Sequence, residues 1–332
     1  MKKIDIRFIG IFVCVLLVAM MAAGCVEASE KWVPQKSITI VLPTDPGDYY
    51  DSQCRLIADS LSKQLGQTVQ INYMPGAGHA IATKFVYDAP ADGYTIGHFN
   101  LQPFVLNALA FGGDWDPLKF EFLPTFFDMS QDPEYMYLPT TASGKYKNWD
   151  DILTSTTPVR WGSVGRGSLV HVVGVVLADA YGFPVWHVLG YSGGGDVVAA
   201  LARGENDLTC FANSVIEPYV KGNDIVPIFS LGSGQSTRYP GIPSLADKHP
   251  ELVPLLGAKH FMVLPPGTPK NVVDTLEEAI WVAVNSDEFK ELHKKTIAEG
   301  KQYGPARAAQ SRATIESFVK IFEPLVPLLQ ND

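Results

Sequence analysis

Residues 37–72 read SITIVLPTDPGDYYDSQCRLIADSLSKQLGQTVQIN, and their order decides the fold. Ser37 to Leu42 is an apolar, β-branched run of strand character, followed by a turn rich in Pro, Gly and Asp. Asp51 to Leu65 carries helical spacing, and Thr68 to Asn72 returns to a strand pattern. Working outward, a helix over Ala80 to Ala89 and a strand over Tyr94 to His98 continue the alternation. Repeated strand–helix alternation predicts an α/β fold with a parallel, doubly wound sheet.

A second series starts after the linker-like Pro139 to Asn148. Strands are expected at Val159 to Ser163, Val185 to Leu189, Asp207 to Ala212 and Val226 to Leu231, separated by helices at Ser168 to Tyr181, Asp196 to Arg203 and Ser214 to Lys221. A last strand, His260 to Leu264, precedes amphipathic helices over Asn271 to Asn285, Asp287 to Glu299 and Ala306 to Leu329, which are best used covering the first sheet. About 300 residues behind the N-terminal leader exceed what one core usually serves, so two domains are expected. The first is residues 37–138 joined to 250–332, the second residues 139–249. Two chain crossings and a cleft between lobes is the plan of hinged binding proteins.

At the N-terminus, Lys2, Lys3 and Arg7 precede an apolar run from Ile9 to Ala23, the n-region and h-region of a signal peptide. The run is short for a spanning helix, which needs roughly 20 apolar residues. It ends in Ala22-Ala23-Gly24-Cys25, which resembles the lipobox of bacterial lipoproteins, with Cys25 as the lipidated residue. Ordinary signal-peptidase cleavage nearby is the alternative, since Ala22 stands where a large aliphatic residue is usual. Residues 1–24 are then the signal peptide and 25–36 a tether holding the folded part close to a membrane. The expected location is outside the cytoplasm, in the periplasm or lipid-anchored at the outer face of the cytoplasmic membrane.

The chain carries a net charge of −9 at pH 7, and loss of residues 1–24 makes it more acidic still. That argues against nucleic-acid binding. An anion site must then be local, built from backbone N–H groups and one or two basic side chains. Cys54 and Cys210 remain once Cys14 and Cys25 are set aside, and buried free thiols are expected in preference to a bridge across the hinge. No CxxC or HExxH pattern occurs and the seven histidines are scattered, so no metal site and no cofactor are expected.

In such sheets ligands sit at the carboxyl ends of strands. After the first strand, Pro46-Gly47-Asp48-Tyr49-Tyr50-Asp51 opens a helix, whose N–H groups and dipole suit a carboxylate. Asp48 or Asp51 could instead serve only as a helix cap. After Trp161 comes Gly162-Ser163-Val164-Gly165-Arg166-Gly167-Ser168, again strand, glycine bend and helix. Ser168 can cap, Arg166 offers a bidentate fork, and the GK[ST] ending of a nucleotide loop is missing. His171, one turn into this helix, fits either a packed or capping role or a ligand contact. A third loop, Gly190-Tyr191-Ser192-Gly193-Gly194-Gly195, also joins strand to helix, with Tyr191 either lining the cleft or packed.

Together with Asn72-Tyr73-Met74-Pro75-Gly76-Ala77-Gly78, Ala91-Asp92-Gly93-Tyr94-Thr95, Tyr239-Pro240-Gly241-Ile242-Pro243-Ser244-Leu245 and Pro265-Pro266-Gly267-Thr268-Pro269, these loops resemble the solute-binding receptors of tripartite tricarboxylate transporters, also called the Bug family. The likeness covers nearly all of residues 36–322. It implies two Rossmann-like domains of the type II periplasmic-binding-protein kind, closing on a small organic carboxylate and delivering it to membrane transporter subunits, with the receptor acting as a monomer. Carried over, Pro46 to Asp51 and Ser163 to Ser168 hold a carboxylate, while Tyr191, Gly193 and Asn213 line the same cleft. The chain departs from the family pattern at Asp48, where glycine is usual, and at Arg166, where a small polar residue is common.

Two other functions compete. An enzyme could use Asp48, Asp51, Arg166 and His171 for acid–base work, but the sequence offers it no metal cluster. A receptor presenting its solute to a sensor kinase would share every feature above, and adjoining genes would separate it from a transport receptor.

Overall fold

The structure is a computed structural model and describes residues 30–47, 49–128, 136–294 and 304–330. The first strand, β1 (Ile38–Leu42), runs through the pattern that opens the fold, and α1 (Tyr49–Leu65) follows it. Helix α1 ends at Gly66, whose φ of +66° is the left-handed stop that glycine reaches without strain. Next come β2 (Val69–Tyr73), α2 (Ala80–Tyr87), β3 (Thr95–Asn100), α3 (Leu101–Ala110) and β4 (Glu121–Asp128). The chain then builds β5 (Met136–Thr141), α4 (Trp149–Leu153), β6 (Val159–Gly162), α5 (Leu169–Tyr181) and β7 (Val185–Val188). It continues through α6 (Gly194–Ala202), β8 (Phe211–Ala212), α7 (Asn213–Lys221) and β9 (Ile225–Ser230). It returns with β10 (Lys259–Leu264), α8 (Lys270–Val284), α9 (Asp287–Lys294), α10 (Ala308–Phe322) and α11 (Val326–Gln330).

The first sheet has the order β2-β1-β3-β10-β4. β1 lies parallel to β2 and β3, so the βαβ reading holds there. The returning β10 is antiparallel to both β3 and β4, with Met262 opposite His98 and His260 opposite Asn100. The sheet is therefore mixed where an all-parallel one was expected. All six residues of β10 are buried, as befits a strand covered on both faces. Phe261 of β10 joins Phe99, Phe104 and Phe120 in an aromatic cluster, Phe104 lying 4.9 to 5.7 Å from the other three. Each such fully buried ring contributes roughly 1.5–3 kcal/mol.

The second half forms two smaller sheets, β8-β5-β9 and β6-β7. β5 is antiparallel to both neighbours, whereas β6 and β7 are parallel. Pro139 to Asn148, expected as a linker, is instead partly a buried central strand. Pro139 sits at the register shift of the β5–β9 pair, a place in a ladder where a residue without N–H is tolerated. The expected strand from Asp207 to Ala212 shrinks to Phe211–Ala212, with Leu208 making only an isolated bridge to Trp161. The Asp207 carboxylate there binds the backbone and guanidinium of Arg160.

The expected C-terminal cover is present. Helix α8 lies against α1, with Gln64 Nε2 donating to Ala279 O at 2.9 Å, and Ser311 of α10 bonds Thr125 of β4. The single helix expected over Ala306 to Leu329 breaks into α10, a 3-10 turn at Glu323–Leu325 and α11. Pro324 and Pro327 remove the N–H groups that a continuous helix would need. Among the described residues no helix is long and apolar enough to cross a membrane. Residues 1–29, with the expected signal segment and Cys25, lie outside the described residues.

Candidate functional site

Asp51 organises the loop after β1. The residue is 4 % exposed. It accepts hydrogen bonds from Gly47 N (2.8 Å) and Tyr73 OH (2.7 Å), and pairs with Arg55 Nε at 2.9 Å. Burial pushes its carboxyl up, but the bonds to Tyr73, Gly47 and Arg55 outweigh that and hold it below the ordinary carboxylate value. Burial and the same bond push the Tyr73 phenol up to about 12. Asp51 therefore spends its oxygens on its own loop: it fixes Gly47, whose φ is +94°, and it is the third residue of α1, one turn inside the N-cap position. Pro46 and Gly47 are exposed, and a Cβ on Gly47 would meet nothing within 4 Å. Asp48 lies outside the described residues, and Tyr49 opens α1.

The second loop is held by its own helix. Ser168 caps α5, accepting from His171 N at 3.3 Å, and Ser168 N returns to Gly165 O at 3.2 Å. Gly167 N donates to His171 Nδ1 at 3.2 Å, so the ring of this fully buried histidine braces the bend. It also packs edge-on against Phe111 and tilts against His187. Of the two roles left open for His171, packing and bracing is the one its surroundings display. Ser163 is buried at the end of β6, its N–H bonded to Val188 O, and its Oγ has no hydrogen-bond partner. The Arg166 side chain is exposed, and a Cβ on Gly165 would meet nothing within 4 Å.

This second loop meets the first sheet. A Cβ on Gly78 would stand 2.5 Å from Arg166 O, and one on Gly167 would stand 2.8 Å from Asn107 Oδ1. Asn107, buried in α3, donates to Gly78 O at 2.7 Å and to Pro103 O at 2.8 Å, so it anchors the Gly78 turn against α3. Leu42 pairs with Tyr73, which sets the loop after β1 beside the Met74 to His79 segment. The three segments around 46–51, 74–79 and 165–168 are thus successive neighbours.

In the third loop Gly193 precedes α6 in extended conformation, and Gly193 and Gly195 face open space. Tyr191 is half-buried, with its OH 3.4 Å from Asn206 Nδ2. Asn213 opens α7, and its Oδ1 accepts from Tyr239 OH at 2.7 Å.

The histidines that look scattered in sequence are partly gathered in space. His98 of β3 and His260 of β10 lie 5.6 Å apart between ring centroids, and the Tyr50 ring sits 5.3 Å from His98 and 4.0 Å from His260. His79 stands 6.0 Å from Tyr50, and Phe126 closes the back of His98. Burial lowers His98 to about 3, with His79 adding to the shift, and burial lowers His79 to about 4. The alternation of polar His98 and Asn100 with Gly97 and Phe99 at a strand's carboxyl end is the sequence signal that marks them. Among the described residues no group of three or more His, Cys, Asp or Glu is placed to hold a metal ion. Cys54 and Cys210 are both buried and are not joined in a disulfide.

The family described as "Tripartite tricarboxylate transporter family receptor" matches residues 53–310. A relative from Agrobacterium vitis, the "UPF0065 protein in the TAR-I ttuE-ttuC' intergenic region", is 25% identical over 325 residues, covering 93% of this chain and 90% of its own. MatC from Rhodopseudomonas palustris with bound malate superposes with a TM-score of 0.74 at 21% identity, covering 88% of this chain and 99% of that one. A second R. palustris protein, with adipate, gives 0.73 at 22% identity, covering 89% and 98%.

Proposed function

The chain belongs to the tripartite tricarboxylate transporter receptor family, and from that premise we propose that it captures a small organic carboxylate between two lobes outside the cytoplasm and hands it to membrane transporter subunits. The observation that carries this reading is the meeting of strand-end loops from both halves of the chain at Gly78 and Arg166. Exposed Gly47 and half-buried Gly165 offer backbone without side-chain cover, and the first turns of α1 and α5 bring N–H groups and positive dipole ends, the ordinary means of holding a carboxylate. Pro46, Gly47 and Gly165 present this surface, with the buried Asp51, Ser163, Gly167, Ser168 and His171 positioning it. Tyr191, Gly193 and Asn213 line the far wall, and Arg166 supplies the charge-assisted contact. The malate and adipate held by the structural neighbours fit the same ligand class.

In this reading the lobes are residues 37–138 with 250–332, and 139–249, and ligand closes them. Cys25 carries a lipid anchor, so Cys25→Ser releases the protein from membranes. Mass spectrometry of the small molecule freed by denaturing the purified chain should find an organic acid, and small-angle scattering should show compaction when that acid is added back. A freed compound without a carboxyl group overturns the ligand class. An unchanged scattering profile at saturating ligand overturns the two-lobe closure.

A further inference from the structure

Behind the first turn of α1 lies a set of buried polar atoms that the protein does not satisfy. Both ring nitrogens of His98, Asn100 Oδ1, Thr44 Oγ1 and His79 Nδ1 are buried without a hydrogen-bond partner. His98 is 0 % exposed and Asn100 3 %. All four residues stand at one edge of the first sheet: Thr44 just past β1, His79 past β2, His98 and Asn100 at the end of β3. β1 and β3 are paired in register at Val41 and Gly97, which sets the chain beyond Leu42 alongside His98 to Asn100. The Tyr50 ring packs over His98, and the His260–Gln53 bond (2.7 Å) closes the rear.

Leaving such atoms unpaired in the interior forfeits their hydration without return, so a patch of them implies a polar occupant. Its chemistry is set by what surrounds it. None of Thr44, Tyr50, His79, His98, Asn100 and Gln53 is cationic at neutral pH, because burial keeps the imidazoles neutral. A second ionised carboxylate placed here would be desolvated without a counter-charge. A neutral imidazole offers one donor and one acceptor, the threonine hydroxyl offers both, and Asn100 Oδ1 accepts. A hydroxyl or an amide, which donates and accepts, matches that set.

We propose that Thr44, His79, His98 and Asn100, covered by Tyr50, form a subsite for an uncharged hydrogen-bonding group at the far end of the bound acid. The ligand class is then a monocarboxylate with a hydroxyl, amide or similar tail. This rests on the carboxylate-capture reading above.

The probes are matched four- to six-carbon acids: α,ω-dicarboxylates, ω-hydroxy acids and ω-amides, titrated calorimetrically into the purified chain. The hydroxy acid or amide should bind at least about tenfold tighter than the dicarboxylate of equal length, the size of one good hydrogen bond. His98→Leu and Asn100→Leu should each bring that ratio near one, and His98→Gln should keep part of it, with circular dichroism confirming the fold. If His98→Leu does not fold, Asn100→Leu and His98→Gln decide. A dicarboxylate that binds as tightly or tighter, or a ratio that the variants leave unchanged, overturns the inference, and the patch then holds water only. Either result leaves carboxylate capture standing. Binding of none of these acids, with no carboxylate freed from the purified protein, overturns the parent reading and this inference with it.

Discussion

The carboxyl edge of the first sheet and the glycine bends of the second half face the same question with opposite materials. At the first edge the chemistry is in side chains: Asp51 gathers Gly47, Tyr73 and Arg55, and buried imidazoles crowd behind Tyr50. At Gly165 and Gly193 there is backbone and open space. One region is tied down by a buried carboxylate, and the other leaves its backbone without side-chain cover. If the proposed site lies here, its selectivity should come from the first edge and its grip on a carboxylate from both.

The strongest way to break that contrast is Asp51→Ala. It strips a buried carboxylate from three donors, and it should cost about 3 kcal/mol of stability by urea unfolding, together with ligand affinity. Because the folded pKa of Asp51 lies below the ordinary 3.8, its contribution is complete above that value and is lost as pH falls below it through the folded pKa. A variant that unfolds and binds like wild type would show that the loop after β1 does not depend on its anchor.

Gly78→Ala tests the junction between the regions. At φ +56°, with a Cβ 2.5 Å from Arg166 O, alanine is strained by conformation and must push the second loop away. A loss of about 2 kcal/mol is expected, chiefly from the left-handed backbone. Hydrogen exchange should rise at Gly165 to Ser168; unchanged protection there would mean that the two loops do not support each other.

Much of this division is legible in the sequence. Strand, glycine turn and helix spelled out β1-α1-β2 and the loops after β1 and β6, because a buried parallel strand and an amphipathic helix leave unmistakable periods. β5 was hidden by Pro139, which reads as loop until its partner strand supplies a register shift to hold it. The His98–His260 pair was hidden differently. The two residues are far apart in the chain, and only the antiparallel return of β10 beside β3 brings them together. Local signals cannot report a contact made by a strand that comes home last.

His98 sharpens the contrast through pH. A histidine held neutral at about 3 in the folded state takes up its proton near 6.5 when unfolded. The unfolded chain therefore binds more protons between those values, and stability falls as pH drops below about 6.5. For His98 the ceiling at pH 5 is roughly 2 kcal/mol. Urea unfolding at pH 7 and pH 5 should show a smaller difference in His98→Phe than in wild type. Equal differences would mean that the imidazole is not kept dry behind Tyr50.

The smallest effect on stability comes at the other region. Gly165 has no positive φ, and a Cβ there meets nothing within 4 Å. Gly165→Ala should change stability by less than about 0.5 kcal/mol, and it could add slightly by restricting the unfolded chain. Gly167→Ala, two residues on, must contend with φ +77° and Asn107 Oδ1 at 2.8 Å, so it should destabilise clearly. Affinity should not follow the same order. If open backbone at Gly165 is there to let a carboxylate approach, one methyl group blocks it, and calorimetry should show weaker binding in a fully stable protein. A Gly165→Ala variant that binds as wild type does would make the open space at this glycine incidental and leave the grip to the edge that Asp51 organises.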